Sequence, residues 1–254
     1  MSYLPGKFIW FEHTSNDVPK ARAFYQSLFG WHTEKVPMND EPYEMIQNGA
    51  NPIGGFRAPQ PGELGGWLGC MSVTDVDGKY AEALAAGAKP LQPPKDFVPM
   101  GRGASFTDPI GAAIWIWKST QGDSPETDNP PANQWCWSEL WTQDDAKALA
   151  FYEKVFGYRH ETMPGAGGGP YHVIQSPDGK GRGGVMKMPD PQAPTRWCPY
   201  VLVEDCDATV KKAEGLGAQV MMPSTDIPNV GRIAVLIDPL KSPIALIKPA
   251  PMAS

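Results

Sequence analysis

"FIWFEHTSNDVPKARAFYQSLFGWHTEKVP", residues 8–37, returns as "WCWSELWTQDDAKALAFYEKVFGYRHETMP" at residues 135–164. The two stretches align without a gap at an offset of 127 residues, with 12 identities in 30 positions. Trp10, Glu12, Asp17, Phe24, Tyr25, Phe29 and Gly30 recur as Trp137, Glu139, Asp144, Phe151, Tyr152, Phe156 and Gly157. The match continues downstream. "WLGCMSVTDVD" (67–77) answers "WCPYVLVEDCD" (197–207), and "GRGASFTDPIGAAIWIW" (101–117) answers "GRIAVLIDPLKSPIALI" (231–247). A period this long exceeds a solenoid unit and fits a duplicated domain. Between the copies lies "STQGDSPETDNPPAN", whose Pro, Ser, Asp and Asn content is that of a linker. The expected division is therefore a first domain at 1–118, a linker at 119–133 and a second domain at 134–254.

Each copy reads as a strand, a helix and several strands, given twice. Residues 8–14 carry apolar and aromatic side chains in strand order. Asp17 is placed to cap a helix over "VPKARAFYQSLF", where Ala21, Phe24, Tyr25, Leu28 and Phe29 fall at helical spacing. Pro19 suits a first helical turn, and Gly30 suits a left-handed stop. Strands are expected at 31–37, 43–48 and 53–58, with Gly54-Gly55 as a bend or bulge. A second unit begins near Trp67, with a helix over 76–88 and strands around 89–92, 103–107 and 112–118. The pattern is βαβββ, four times along the chain, and the fold class is α+β.

The bulk properties exclude several functions. A net charge of −6 argues against non-specific binding of nucleic acid, which needs a basic surface. No apolar run is long enough to span a bilayer, and "MSYLPGKFIW" lacks the pattern of a signal peptide. Cys70, Cys136, Cys198 and Cys206 form no CxxC pair, so reduced thiols in a cytoplasmic protein are expected. The expected partner is a small molecule, not nucleic acid or membrane, bound by a monomer or homodimer.

The D-x₆-FY-x₃-FG helix (Asp17 to Gly30, Asp144 to Gly157), the "VTDVD" and "VEDCD" turns, and the "DPIG" and "DPLK" turns together resemble the vicinal oxygen chelate superfamily. That group includes glyoxalase I, bleomycin-resistance proteins, fosfomycin-resistance enzymes and extradiol dioxygenases. With W-x-E on the first strand of each half, the chain is similar to a tandem, two-domain bacterial glyoxalase-like subgroup. The resemblance covers nearly the whole chain. It implies four βαβββ units forming two tandem domains, with curved mixed sheets around clefts.

The resemblance also implies a metal site, with ligands on the first strand of each unit and a Glu on a last strand. The metal would act as a Lewis acid on two neighbouring substrate oxygens. In this sequence those positions hold Trp10, Leu68 and Trp115 in the first half, and Trp137, Cys198 and Ala245 in the second. Of these only Cys198 can ligate, so no metal centre of the usual kind and no cofactor are expected.

Strand alternation puts Trp10, Glu12 and Thr14 on one face, and Trp137, Glu139 and Trp141 on the equivalent face. His13 then points away, and Leu140 holds its place in the second half. This reads as an ordinary polar or semi-buried histidine on the outer face. Glu12 and Glu139 are the candidate catalytic residues, because a carboxylate desolvated by flanking Trp suits proton transfer. The alternative is a structural carboxylate paired with Arg102 or Arg232, which are also repeated. Trp67, Trp115, Trp117 and Trp197 join Trp10, Thr14, Trp137, Trp141, Arg102 and Arg232 as candidate ligand contacts, packing being the other role open to the Trp residues. "GAGGGP" (165–170) lacks the strand and helix of a nucleotide loop and reads as a flexible loop, a candidate lid. Two functions remain open: a metal-free binder of a small organic ligand, and a glyoxalase-like lyase or isomerase with Glu12 or Glu139 as general base, with or without a divalent metal.

Overall fold

The computed structural model describes residues 1–39, 41–60, 63, 65–127 and 130–251. Among the described residues, sixteen strands and four helices follow the βαβββ order four times. The first unit is β1 (Phe8–Thr14), α1 (Val18–Phe29), β2 (His32–Met38), β3 (Glu41–Asn48) and β4 (Asn51–Arg57). The second is β5 (Gly66–Ser72), α2 (Val76–Ala85), β6 (Lys89–Phe97), β7 (Gly101–Thr107) and β8 (Ala113–Ser119). The third is β9 (Trp135–Thr142), α3 (Asp145–Phe156), β10 (Arg159–Pro164), β11 (Pro170–Gln175) and β12 (Gly181–Lys187). The fourth is β13 (Arg196–Leu202), α4 (Cys206–Gly215), β14 (Gln219–Ile227), β15 (Gly231–Ile237) and β16 (Pro243–Pro249).

Every helix starts at an aspartate whose carboxylate accepts an otherwise orphaned N–H of the first turn. Asp17, Asp75, Asp144 and Asp205 accept from Lys20, Gly78, Lys147 and Ala208 at 2.9–3.1 Å. α1 and α3 stop at Gly30 and Gly157, with φ of 76° and 69°, where a Cβ would be strained.

The strands form two eight-stranded mixed sheets, ordered β2-β3-β4-β1-β5-β8-β7-β6 and β10-β11-β12-β9-β13-β16-β15-β14. Antiparallel pairing of β1 with β5, and of β9 with β13, joins the two units of each half. Each curled sheet is thus built within one half. In the first sheet the outermost hairpins meet: Asn39 N–H donates to the Val98 carbonyl, and Val98 N–H donates to Asn39 Oδ1, both at 2.9 Å. Among the described residues no such pair joins the corresponding tips of the second sheet.

The cores run the other way. One apolar cluster combines Met71, Val76, Phe106 and Ile114 of the second unit with Leu140, Tyr152, Ile174 and Val185 of the third. The other combines Phe11, Tyr25, Trp31 and Ile46 of the first unit with Val203, Leu236, Ile244 and Leu246 of the fourth. Burying each such side chain contributes about 1.5–3 kcal/mol, so the seam between the halves is the main hydrophobic core.

The repeated motifs meet at this seam. Asp108 of "DPIG" closes its own turn by accepting from the N–H groups of Ile110, Gly111 and Ala112 at 2.7–2.9 Å. Its second oxygen accepts from the Tyr152 hydroxyl of the opposite half at 3.0 Å. Asp238 of "DPLK" does the same with Leu240, Ser242 and, across the seam, Tyr25 at 2.8 Å. The DP turn of one half and the FY helix of the other are therefore two ends of one contact.

Three local expectations are corrected. The bulge falls on β4 one residue before Gly54, where Ile53 is the extra residue opposite the Ile46–Gln47 step of β3. "GAGGGP" is a tight hairpin turn between β10 and β11, closed by hydrogen bonds from Gly165 N–H to the Gly169 carbonyl and from Gly168 N–H to the Gly165 carbonyl. His13 does point away from the concave face, but it is fully buried in the seam, with Nε2 3.0 Å from Asp238. No helix among the described residues is long and apolar enough to cross a membrane.

Candidate functional site

The strand register decides what each concave face carries. Trp10 lies opposite Cys70 and Glu12 opposite Leu68, and Cys70 in turn lies beside Trp115. Leu68, Cys70 and Trp115 form a cluster with Trp10, Phe97 and Trp117 around it. In the second half, Glu139 faces Cys198, Trp137 faces Tyr200, and Tyr200 lies beside Ala245. Trp141, Cys198 and Tyr200 cluster there with Ile233, Val235 and the partly buried Trp137 and Met186.

Trp67 and Trp197 are not on these faces. Each is one residue out of phase with the cleft-facing positions of its strand, and its ring enters the seam. There Trp67 Nε1 donates to the Tyr25 hydroxyl and Trp197 Nε1 to the Tyr152 hydroxyl, both at 2.8 Å. Arg102 and Arg232 are also elsewhere. Arg102 pairs with Asp77 and Asp96, and Arg232 with Asp207 and Asp226, at 2.7–3.0 Å on the exposed surface. Neither is a partner of Glu12 or Glu139. Thr14 shares the face of Glu12 but is buried, its hydroxyl donating to the Gly66 carbonyl at 3.2 Å.

A tyrosine stands between Trp and Glu on both faces. Trp10 Nε1 donates to the Tyr43 hydroxyl at 2.9 Å, which donates to Glu12 Oε1 at 3.1 Å. Trp137 Nε1 donates to the Tyr171 hydroxyl at 3.0 Å, and Glu139 lies near that hydroxyl. Glycine makes the arrangement feasible. A Cβ on Gly55 would stand 1.8 Å from the Tyr43 hydroxyl oxygen, and one on Gly184 1.9 Å from that of Tyr171. The sequence carries this signal as "PYEMIQ" and "PYHVIQ", followed in each half by a Gly-Gly pair.

The two carboxylates then diverge. Glu12 Oε2 accepts from Arg57 Nε at 2.5 Å. The rest of that guanidinium forms a fork to Glu63, NH1 to Oε2 at 2.6 Å and NH2 to Oε1 at 2.9 Å. Burial pulls the Arg57 pKa down, but Glu12 and Glu63 outweigh it and leave it above the ordinary value. Burial alone would raise Glu63, and Arg57 overrides it to hold that carboxyl below its usual range. In the second half Met186 stands where Arg57 would be, and Trp141 where Thr14 is. Among the described residues no cation pairs with Glu139. Glu139 is 6% exposed, accepts from Trp141 Nε1 at 2.7 Å, and lies near the hydroxyls of Tyr171 and Tyr200. Burial raises its pKa against the pull of those three donors.

A divalent ion fits neither face. Leu68, Trp10, Trp115, Trp137 and Ala245 supply no lone pair at the expected positions, and Glu12 is committed to Arg57, whose charge would repel a cation. Among the described residues no three His, Cys, Asp or Glu side chains converge on one point.

The sequence profile of the Glyoxalase/Bleomycin resistance protein/Dioxygenase superfamily matches residues 7–116 and 137–243. The chain belongs to that superfamily. It is 35% identical over 255 residues to "Putative glyoxylase CFP32" of Mycobacterium tuberculosis, covering 98% of this chain and 97% of the relative. It is 28% identical over 263 residues to the "Anthracycline biosynthesis protein DnrV" of Streptomyces peucetius, covering 93% and 91%. The superfamily fold is shared with the 2,3-dioxygenase LapB from Pseudomonas sp. KL28, at a TM-score of 0.62 and 13% identity over 100% of this chain and 96% of that one. It is shared equally with the Mn(II)-bound glyoxalase from Novosphingobium aromaticivorans, at a TM-score of 0.62 and 13% identity over 97% and 87%. These likenesses fix the architecture, and the chemistry rests on the side chains.

Proposed function

We propose that this superfamily member binds a small, flat organic ligand on its aromatic concave faces without a metal centre. The observation that carries the reading is the replacement of metal-ligand positions by Trp, Leu and Ala, beside a carboxylate already satisfied by Tyr, Trp or Arg. Indole and phenol rings offer area for stacking at low entropic cost, and the Glu–Tyr pair offers polar orientation. The relative named for anthracycline biosynthesis supports a planar ligand in kind. Among the described residues no hairpin clasp spans the second face. One chain supplies all four units, so the binding unit is a single chain in the cytoplasm, where its four unpaired thiols stay reduced.

Titration with flat aromatics such as 1-naphthol should quench tryptophan fluorescence equally with and without EDTA. Trp137→Leu should weaken the response. Binding that disappears on chelation and returns with a divalent ion would overturn the reading.

One observation favours a second reading. Glu139 is buried, pairs with no cation among the described residues and has a raised pKa, which suits a general base in a lyase or isomerase. Turnover abolished by Glu139→Gln, with ligand affinity intact, would establish that role instead of plain binding.

A further inference from the structure

The connector between β4 and β5 returns one residue to the first concave face. Glu63 lies on this Pro- and Gly-containing segment, yet its side chain is only 3% exposed. Its carboxylate takes both terminal nitrogens of Arg57, the fork with which a guanidinium recognises a planar anion. Arg57 is fixed independently of Glu63: its Nε is held by Glu12, and its guanidinium carbon lies 5.8 Å from the centre of the Trp115 ring. The receptor is therefore preformed on the sheet, and Glu63 occupies it from outside the sheet.

Two carboxylates share one guanidinium here. Glu12 is strand-borne and hydrogen-bonded to Tyr43. Glu63 is connector-borne, and among the described residues its carboxylate is held by Arg57 and by the Gln60 N–H at 2.7 Å, beside Trp115. Replacing Glu63 by another carboxylate keeps both the charge balance and the number of hydrogen bonds at the fork. A neutral ligand could not keep the charge balance. Next to the fork stand Trp115 and, partly exposed, Trp10, Trp117 and Phe97. Gly101 and Gly103 leave room for the Trp117 ring to lie across β7, since a Cβ on either would stand 2.6 Å from it.

We infer that the first cleft is a site for an aromatic carboxylic acid, with Arg57 as its anion receptor and Glu63 as an internal occupant that the ligand's carboxylate displaces. The inference rests on the reading that this face takes a small organic ligand. The second half has no equivalent site, because Met186 replaces Arg57.

The test uses the full chain, with 1-naphthoate and the neutral 1-naphthamide as probes in calorimetric and fluorescence titrations. Glu63→Gln removes the competitor's charge from a connector outside the cores, and should tighten naphthoate binding about tenfold while leaving naphthamide within about twofold. Arg57→Met should abolish the preference for naphthoate. Because that change strands Glu12, the Arg57→Met/Glu12→Gln double variant, checked by circular dichroism and thermal melting, must show the same loss. Naphthoate affinity unchanged in Glu63→Gln, with naphthamide still binding, would overturn the displacement and leave the binding function standing. Neither probe binding to either protein would overturn both.

Discussion

Replacing His13 by leucine should be nearly silent, although the histidine is wholly buried and 3.0 Å from a buried aspartate. Breaking a buried ion pair ordinarily costs about 3–5 kcal/mol. The protein contains its own control. Across the pseudo-symmetric seam, Asp108 makes the same turn and the same tyrosine contact under Leu140, with no histidine. In His13→Leu, Asp238 would keep Tyr25, Leu240 and Ser242 as donors. Losing a hydrogen bond to a charged acceptor costs about 1.5–3 kcal/mol, and losing edge contacts with Tyr25 and Trp67 a further ~1 kcal/mol. Against this, His13 Nδ1 has no hydrogen-bond partner, and removing such a group recovers about 1–3 kcal/mol. The net loss should be about 1 kcal/mol. Urea unfolding followed by fluorescence and by circular dichroism measures it, provided the two transitions coincide. The sign of its pH dependence is fixed as well. Burial would raise Asp238, but His13 and the other donors hold it below 3.8 in the folded protein, so its contribution is present above that pH and lost as pH falls. Asp108, without a histidine, is raised by burial. His13→Leu should move Asp238 toward that behaviour, so the deficit against wild type grows from acid toward neutral pH. A loss above about 3 kcal/mol at neutral pH would refute the reasoning and make the pair an obligatory seam contact.

The glycine windows give a second test. Gly184→Ala should cost about 3–5 kcal/mol, because overpacking displaces Tyr171 beside the buried Glu139, and Gly55→Ala should cost less because Arg57 still holds Glu12. Equal shifts in thermal melting would contradict that ranking. Glu139→Gln should gain stability relative to wild type as pH rises above about 4.5, since the raised folded pKa makes ionisation of Glu139 unfavourable to the fold. A pH-independent difference between the two denaturation profiles would rule this out. Glu126 in the linker binds Lys7, Lys180 and Arg182; burial opposes ionisation, but these cations pull its pKa down to about 2. Its stabilising contribution is full above 4.5 and fades toward pH 2, so Glu126→Gln should be weaker than wild type at neutral pH and converge with it in acid; parallel curves would count against the linker contact.

The architecture was legible because it is written twice. Asp17, Phe24, Tyr25 and Gly30 each recur, and each has a local physical role that a single copy already implies: a cap, a buried face, a left-handed stop. The site was less legible for the same reason. Weighting repeated residues favoured Arg102 and Arg232, which recur because each ties a helix start to a strand edge. It passed over Arg57, which has no counterpart. Trp67 and Trp197 were recoverable from alternation alone, since Leu68 and Cys198 are the neighbours assigned to the cleft. The depth of His13 was not recoverable, because it depends on which unit packs on which across the seam.

That packing also explains how two copies of one motif could diverge. The sheets pair unit one with two and three with four, whereas the cores pair one with four and two with three. Repetition at the seam is therefore enforced by contact: each DP turn needs an FY helix from the opposite half, and a change on one side strands a buried carboxylate on the other. The concave faces carry no such reciprocal demand. Each needs only to satisfy its own glutamate, and the halves do so differently, with a guanidinium in one and an indole N–H in the other. Stability is held in common at the seam, and chemistry is free to differ between the faces, where one carboxylate is paired with a guanidinium and the other is buried against an indole N–H.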